Sequence, residues 1–213
     1  NLTYRSDLGA YVYGASNSAM CNQSGEVQPG PHAVTSAGST AYCYDRHGNQ
    51  TRSSEGRVIS YTSFDLPRRA THAASGKAIE WEYGPGRERI LRLDYDSILV
   101  GAAAREITHY VGNVEIIRDS AGSLRLLKRY SGSVVTLFER NAGDHARRHE
   151  FLLTEAQGST YAMISDSGQL IDGQTQSFDA FGQRRNAETW AALTRSQQLN
   201  FDTSGTTRKG YTG

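Results

Sequence analysis

Apolar and polar residues alternate along most of this chain in short runs, and the runs end at glycine-containing turns. In the clearest run, Ile79, Trp81 and Tyr83 alternate with two glutamates, and Gly84 opens a Gly-Pro-Gly turn. A period of two places alternate side chains on the same face of a β-strand. Repetition of this unit predicts an all-β fold, made of an array of antiparallel hairpins.

A second copy of the unit lies earlier in the chain. Tyr42 and Tyr44 alternate on a predicted strand that meets a turn over 45–49, in which Gly48 and Asn49 are expected to adopt positive φ. We interpret the aromatic and turn residues of all copies as structural repeat positions. These positions are Tyr42, Tyr44, Asp45, Gly48, Asn49, Tyr61, Phe64, Asp65, Trp81, Tyr83, Gly84, Tyr110, Gly112, Asn113, Phe178, Asp179, Phe181 and Gly182.

The spacing of these copies indicates a repeat. The aromatic residues that we place at the start of the turns, Tyr44, Phe64 and Tyr83, lie about 20 residues apart, a period typical of stacked or rolled β arrays. No linker divides the chain, so we predict a single segment, 1–213, with a dozen or more strands of about 5–7 residues. The stretch 187–194 is predicted to contain one or two turns of helix.

Composition narrows the function classes. The 213 residues carry 23 basic and 22 acidic side chains and a formal charge of +1, which argues against a nucleic-acid or anionic-membrane binder. The longest apolar run, 98–104, falls short of the roughly 20 residues of a membrane helix. Hydrophobic residues make up 37% of the chain, so the expected core is lean. The 22 glycines, 12 tyrosines and 4 prolines favour strands and tight turns.

The ends and the cysteines give two further expectations. The chain begins at Asn1 with neither a methionine nor a signal peptide, so we expect a piece of a longer polypeptide. Cys21 and Cys43 allow one disulfide, but two unlinked thiols are the favoured interpretation.

Two clusters resemble metal sites. His145 and His149 have the spacing of a zinc protease helix, but Ala146 stands where that site needs glutamate, and a polar hairpin is the simpler interpretation. Asp94 and Asp96 share a face of a strand but are followed by no calcium-binding loop. We therefore predict no metal, no cofactor and no catalysis, and a metal-dependent hydrolase using these residues is the least favoured alternative.

The segment 44–51, Tyr-Asp-Arg-His-Gly-Asn-Gln-Thr, resembles the YD repeat of bacterial Rhs proteins, teneurins and the C subunits of Tc toxins. The resemblance covers nearly the whole chain, in the order that the family shows. The turn 155–159 departs from it, because Glu-Ala-Gln-Gly-Ser stands where family members carry Asp-His-Leu-Gly-Ser. The other similar segments are 31–35, 57–64, 83–85, 109–113 and 177–185, and 209–213 resembles the lead-in to the hyperconserved C-terminal core.

The resemblance implies a function. In this family, YD hairpins join edge to edge into a curled or spiralling sheet, which forms a hollow β-shell. The shell encloses a C-terminal toxin, which would follow Gly213 in the longer protein. The implied partners are the remainder of the shell, its toxin and secretion-system components. Separately, the first and last strands of such a strip would be unpaired edges, so we expect self-association, a partner, or that the 213 residues are part of a larger shell. The charge balance predicts no nucleic-acid partner.

The resemblance also implies a location. The chain would be part of a larger bacterial protein, which is assembled in the cytoplasm and then exported or displayed on the cell surface. The alternative is a carbohydrate or cell-surface binding module in which Trp81 and Trp190 stack on sugars.

Overall fold

In the computed structural model the described part of the chain is nearly all β, with antiparallel strands and a short 3₁₀ turn, Ala73–Ser75. The predicted all-β class with antiparallel hairpins is confirmed. No helix of the described part is long and apolar enough to cross a membrane. His145, Ala146, Phe181 and the segment 209–213 lie outside the described residues. The structure describes residues 1–6, 8–15, 19–139, 147–171, 174–179, 182–194 and 197.

The chain divides into two compact units. The first comprises Asn1–Tyr110 and Ile117–Ser123, and the second comprises Val111–Ile116 and Leu124–Gly213. Strand β12 (Val114–Asp119) contributes residues to both. The assignment of the whole chain to one repeat segment stays a prediction.

Apart from β3, the strands of the first unit form an antiparallel meander, in which neighbours in the sheet follow one another along the chain and β4 pairs with β2. The exception is β3, which pairs with β5 beside β4. The strands are β1 (Tyr4–Arg5), β2 (Gly9–Tyr13), β3 (Glu26–Val27), β4 (Val34–Ala37), β5 (Thr40–Asp45), β6 (Gln50–Ser53), β7 (Arg57–Tyr61), β8 (Pro67–His72), β9 (Lys77–Tyr83), β10 (Arg89–Tyr95) and β11 (Glu106–Val111).

Burial in this unit is sparse, as the composition suggests. Trp81 is paired with Arg92, and Glu80 is paired with Leu93, so each face of the β9–β10 pair carries both polar and apolar side chains. Most side chains of these strands are half-buried. The buried apolar residues in the described part of the first unit are Ala37, Cys43, Ala78 and Ile117.

The cysteine prediction is wrong, because Cys21 and Cys43 form a disulfide. Their Cα atoms are 5.3 Å apart, and Cys43 lies buried on β5. The bond connects the segment that contains β3 to the middle of β5. A separation of 22 residues along the chain carried no information about this proximity, since it depends on how the segment after β2 returns to β5.

The second unit contains the larger apolar core. Val135, Leu137, Leu152 and Met163 form a buried cluster, and Leu152 and Met163 are register partners. The strands that follow β12 are β13 (Leu124–Ser131), β14 (Val134–Glu139), β15 (Arg147–Thr154), β16 (Thr160–Ser165), β17 (Ser177–Phe178) and β18 (Arg184–Arg185).

The predicted helix over 187–194 is wrong, because residues 187–189 form a turn. The Oδ1 atom of Asn186 accepts hydrogen bonds from the backbone N–H groups of Glu188 and Thr189, at 2.9 and 2.7 Å. Trp190 then adopts a positive φ of 61°, and its side chain is 67% exposed. Asparagine competes in this way with helical hydrogen bonding, which explains the departure from the helix.

Reduction of the disulfide is expected to destabilise the first unit by about 3 kcal/mol, because the bond closes a loop of this length in the unfolded chain. Urea unfolding with and without reductant measures the effect. A Cys21→Ser, Cys43→Ser double variant should match the reduced protein and should not respond to reductant. Equal stability of oxidised and reduced wild type would contradict this prediction.

Candidate functional site

A five-residue turn recurs through both units. In each copy, the N–H of the first residue donates to the carbonyl of the fifth, and the N–H of the fourth donates to the carbonyl of the first. The fourth residue adopts positive φ. This is the hairpin turn whose left-handed residue forms a bulge. The copies in the described residues begin at Asp45, Thr62, Gly84, Asp119, Glu155, Ser165 and Asp179.

The aspartate of the repeat is the first residue of the turn, where its carboxylate accepts hydrogen bonds from backbone N–H groups of the same turn. Oδ1 of Asp45 accepts hydrogen bonds at 2.9 Å from the backbone N–H groups of His47 and Asn49. Burial raises the pKa of this carboxyl, but the hydrogen bonds from Asn49 and His47 outweigh burial, so its pKa lies below the ordinary value. Asp119 accepts the equivalent pair of bonds in its own turn.

The prediction of positive φ holds for Gly48, at 85°, and fails for Asn49. Asn49 instead works through its side chain, which donates to Oδ2 of Asp45 at 3.1 Å and to Oδ1 of Asp65 at 2.9 Å. The amide therefore connects its own turn to the next one. The sequence of a Gly-Asn pair is the same whether asparagine adopts positive φ or acts through its side chain. The pattern therefore could not distinguish these two roles of Asn49.

The tyrosine of the repeat precedes the turn. Tyr44, Tyr61 and Tyr83 each stand immediately before a first turn residue. Burial raises the pKa of Tyr44 and of Tyr61. The repeat position at the end of β7 is thus Tyr61, and the prediction that Phe64 starts this turn is wrong. The three hydroxyls donate to the backbone carbonyls of Val34, Gln50 and Pro67, at 2.6, 2.8 and 2.7 Å respectively.

Three successive turns, 45–49, 62–66 and 84–88, contact one another, and we call them the turn ladder. The carboxylate of Asp65, the fourth residue of the second turn, lies 3.1 Å from Nδ1 of His47 in the first turn. The guanidinium of Arg87, the fourth residue of the third turn, lies 5.5 Å from the ring of Phe64 in the second. Phe64 also packs edge-on against Tyr83, with ring centroids 5.9 Å apart. In the second and third turns, the fourth residue thus contacts the preceding turn.

The tryptophan candidates for sugar stacking already have ring contacts. Trp81 is half-buried, and the guanidinium of Arg89 lies 5.8 Å from its ring and 5.8 Å from that of Tyr110. Arg185 lies 4.7 Å from the ring of Trp190.

The remaining repeat positions lie at strand ends and turns. Tyr42 is on β5 and pairs with Ser53. Gly112 has a positive φ of 57° and precedes Asn113, whose amide donates to the carbonyl of Tyr130 at 2.5 Å. Phe178 and Asp179 are, respectively, the residue before the turn and the first turn residue of their copy, and Gly182 is its fourth.

The candidate metal ligands in the described residues contact other side chains of the sheet. Asp94 forms an ion pair with Arg92 at 2.6 Å, and Asp96 forms one with Arg105 at 3.3 Å. Nδ1 of His149 lies 3.2 Å from the hydroxyl of Thr136. Across the described ranges, no group of three or more histidine, cysteine or acidic side chains is arranged to hold a metal ion.

The structure shows a groove that the sequence did not predict. It encloses about 760 Å³ and is lined by 58–63, by parts of 45–52, by Asp65 and by Gln23, Ser24 and Glu26. Arg52 binds the carboxylate of Glu26 with two hydrogen bonds of 2.8 Å, and Thr51 donates to the same group at 2.9 Å. The hydrogen bond from Arg52 is the main reason that the pKa of Glu26 lies below its ordinary value.

Comparison with solved structures gives a fold-level match. The crystal structure of TcdB2-TccC3-TEV aligns with 80% of this chain at a TM-score of 0.58 and 17% identity. A Tc holotoxin pore from Photorhabdus luminescens aligns with 80% at a TM-score of 0.57 and 16% identity. In its fold, this chain resembles the Tc toxins. It spans 8% of the length of each of these two chains. No family description and no curated protein matches the sequence.

Gly48→Ala is expected to destabilise the protein by about 1–2 kcal/mol, because an L-residue is strained at this left-handed φ. Gly30→Ala is the matched control, since both glycines have open space around a new Cβ and only Gly48 has positive φ. Chemical unfolding of the two variants measures the difference. Equal effects of the two substitutions would show that the turn conformation contributes nothing.

Asp45→Asn tests the charge at the first turn position. Because the pKa of Asp45 is lowered in the fold, its charge stabilises the protein above the ordinary carboxyl pKa, and this contribution is lost as pH falls through the folded pKa. The stability difference between wild type and variant should therefore shrink between about pH 5 and pH 2. Asp45→Ala, which also loses the accepting oxygen, should be destabilised further over the whole range. Unfolding curves at each pH give both results.

Proposed function

We propose that this chain is a non-catalytic structural segment of an Rhs/YD-repeat shell, which encloses a C-terminal toxin domain for delivery to competing bacteria or host cells. The observation that carries the proposal is the recurrent five-residue turn, which a tyrosine precedes at Tyr44, Tyr61 and Tyr83, in a fold that resembles the Tc toxins over 80% of the chain. In this proposal all of 1–213 belongs to one repeat array.

The distribution of burial supports a wall more than a globular receptor or enzyme. Few apolar side chains of the first unit are fully buried, and hydrogen bonds between side chains and backbone connect its neighbouring strands instead. A sheet that forms part of a container exposes both faces and cannot depend on a thick apolar core. The antiparallel meander supplies this architecture, since each new hairpin extends the sheet by two strands.

Polar contacts between strands support a structural role for the charged residues. Arg69 binds Glu80 on the neighbouring strand at 2.9 Å, and Glu80 accepts a hydrogen bond from Tyr95 at 2.9 Å. Burial and the bond to Glu80 raise the pKa of Tyr95 to about 12. These groups are engaged in cross-strand contacts, which suits a scaffold.

The disulfide supports export as part of the proposal. Structural disulfides persist in oxidising compartments and are rare in the cytoplasm. In a protein that is assembled in the cytoplasm and then exported, the Cys21–Cys43 bond would form after export. The proposed partners are the rest of the shell, its toxin and the components that secrete it.

The test is to recover the complete reading frame and express its full-length product. We expect further YD repeats on the N-terminal side and a toxin domain after Gly213. Within the full-length protein, that domain should resist protease at least about tenfold longer than the same domain expressed alone. A frame without a downstream toxin domain, or a domain that is cleaved equally fast in both forms, would contradict the proposal. Metal-dependent turnover by the purified 213-residue chain would also contradict it.

A further inference from the structure

The segment 20–27, which we call the strap, lies along one edge of β5. Val27, in β3, pairs with Tyr44 of β5, and Tyr44 pairs on its other side with Gln50 of β6. Since β6 occupies the opposite edge, the strap shares its edge of β5 with β4, which pairs with the first residues of β5. The strap thus covers the part of this edge that β4 leaves open, and an uncovered strand edge can pair with another chain.

Besides the disulfide, mainly polar contacts hold the strap in the described part of the chain. None of its apolar residues, Met20, Cys21 and Val27, is buried, and β3 contributes two register pairs. The main remaining attachment is the carboxylate of Glu26, whose side chain is 3% exposed and which Arg52 binds with two hydrogen bonds. Segments with little apolar burial open locally at a small cost in free energy. The disulfide is therefore the attachment on which the closed strap depends.

Opening of the strap leaves the rest of the meander paired, because β5 keeps its pairing with β4 and β6, and β6 to β10 pair in series. Opening does change the surroundings of one charge. The guanidinium of Arg52 donates to Glu26 and to the carbonyl of Met20, both in the strap, and would lose these partners. The open form therefore differs from the closed form by an uncovered edge at the end of β5 and an exposed cation beside it.

The two cysteines of the disulfide differ in accessibility. Cys43 is 1% exposed, whereas Cys21 is half-buried. A dithiol reductant therefore attacks at Cys21: its thiolate forms a bond to Sγ of Cys21, and Sγ of Cys43 leaves as a thiolate and takes up a proton. The second thiol of the reductant then displaces Sγ of Cys21, which is also released as a thiol. Two electrons and two protons pass to the protein, and the reductant becomes a disulfide.

We infer that the Cys21–Cys43 bond is a redox latch, which holds the strap on β5 in oxidising surroundings and releases it to thiol reductants while the meander stays folded. The latch responds to passage between an oxidising and a reducing compartment. The inference stands apart from the proposed function, because it depends only on how the strap is attached to β5.

Amide hydrogen exchange of the 213-residue chain, with and without dithiothreitol, tests the latch. Exchange over 22–27 should be at least about tenfold faster in the reduced chain, because the covalent attachment no longer limits local opening. This faster exchange should not depend on low concentrations of urea, since a local opening exposes little surface, whereas exchange over β9 and β10 should increase with urea. The Cys21→Ser, Cys43→Ser double variant should resemble the reduced chain and should not respond to dithiothreitol.

A second measurement uses Cys43 as the probe. The Cys21→Ser variant has one thiol, whose sulfur faces the strap in the closed form. Glu26→Gln in this variant removes the charge that Arg52 binds, so Cys43 should react with iodoacetamide within about tenfold of its rate in the urea-unfolded chain. Glu82→Gln is the matched control, since it makes the same change at an exposed residue of β9 and should leave the rate of the Cys21→Ser variant unchanged.

Unchanged exchange over 22–27 after reduction would overturn the inference. Exchange over β9 that becomes as fast as that of the strap would also overturn it, because the chain would then unfold as a whole. The same holds if Cys43 in the Glu26→Gln variant reacts more than about tenfold more slowly than in the unfolded chain. An equal acceleration by Glu82→Gln and Glu26→Gln would show that the thiol does not report the strap, and the inference would fail.

Discussion

The structure depends on one local constraint, which is the left-handed fourth residue of the hairpin turn. A meander with little buried apolar surface has few contacts that could correct a wrong turn, so each hairpin must set its own register. The five-residue turn does this with two backbone hydrogen bonds and a residue at positive φ. In the Asp45 turn, a carboxylate oxygen also accepts two backbone N–H groups, so the same aspartate satisfies donors that the hairpin leaves unpaired.

The tyrosine that precedes the turn extends this control to the neighbouring strand. The hydroxyl of Tyr83 reaches the carbonyl of Pro67, which is the first residue of β8, while its ring packs against Phe64 in the adjacent turn. One side chain therefore connects its own hairpin with the preceding one by both a polar and an apolar contact. Such side chains combine a large buried ring with a polar end, and they suit a sheet whose surfaces are only half-buried.

Local chemistry was predictable from the sequence, and non-local proximity was not. The alternation of side chains and the Gly-containing turns predicted hairpins around Tyr44 and Tyr83, because strand period and turn conformation are encoded within a few residues. Phe64 was misplaced because the aspartate that follows it, Asp65, is the fourth residue of its turn, whereas Asp45 and Asp119 are first residues. The disulfide and the groove depend on the return of the segment before β3 to β5, which no local pattern specifies.

The left-handed fourth position of a turn favours glycine, but two of the three turns of the turn ladder have another residue there. Gly48 obeys the rule, whereas Asp65 and Arg87 adopt φ of 63° and 65° at the equivalent positions, where an L-residue costs about 1–2 kcal/mol. A glycine there would remove the strain and also the contacts with His47 and Phe64 in the preceding turn. Residues that break a local preference are retained where a longer-range requirement outweighs it. In this sheet that requirement is the connection between successive hairpins, which the sparse apolar burial leaves to side chains at the turns.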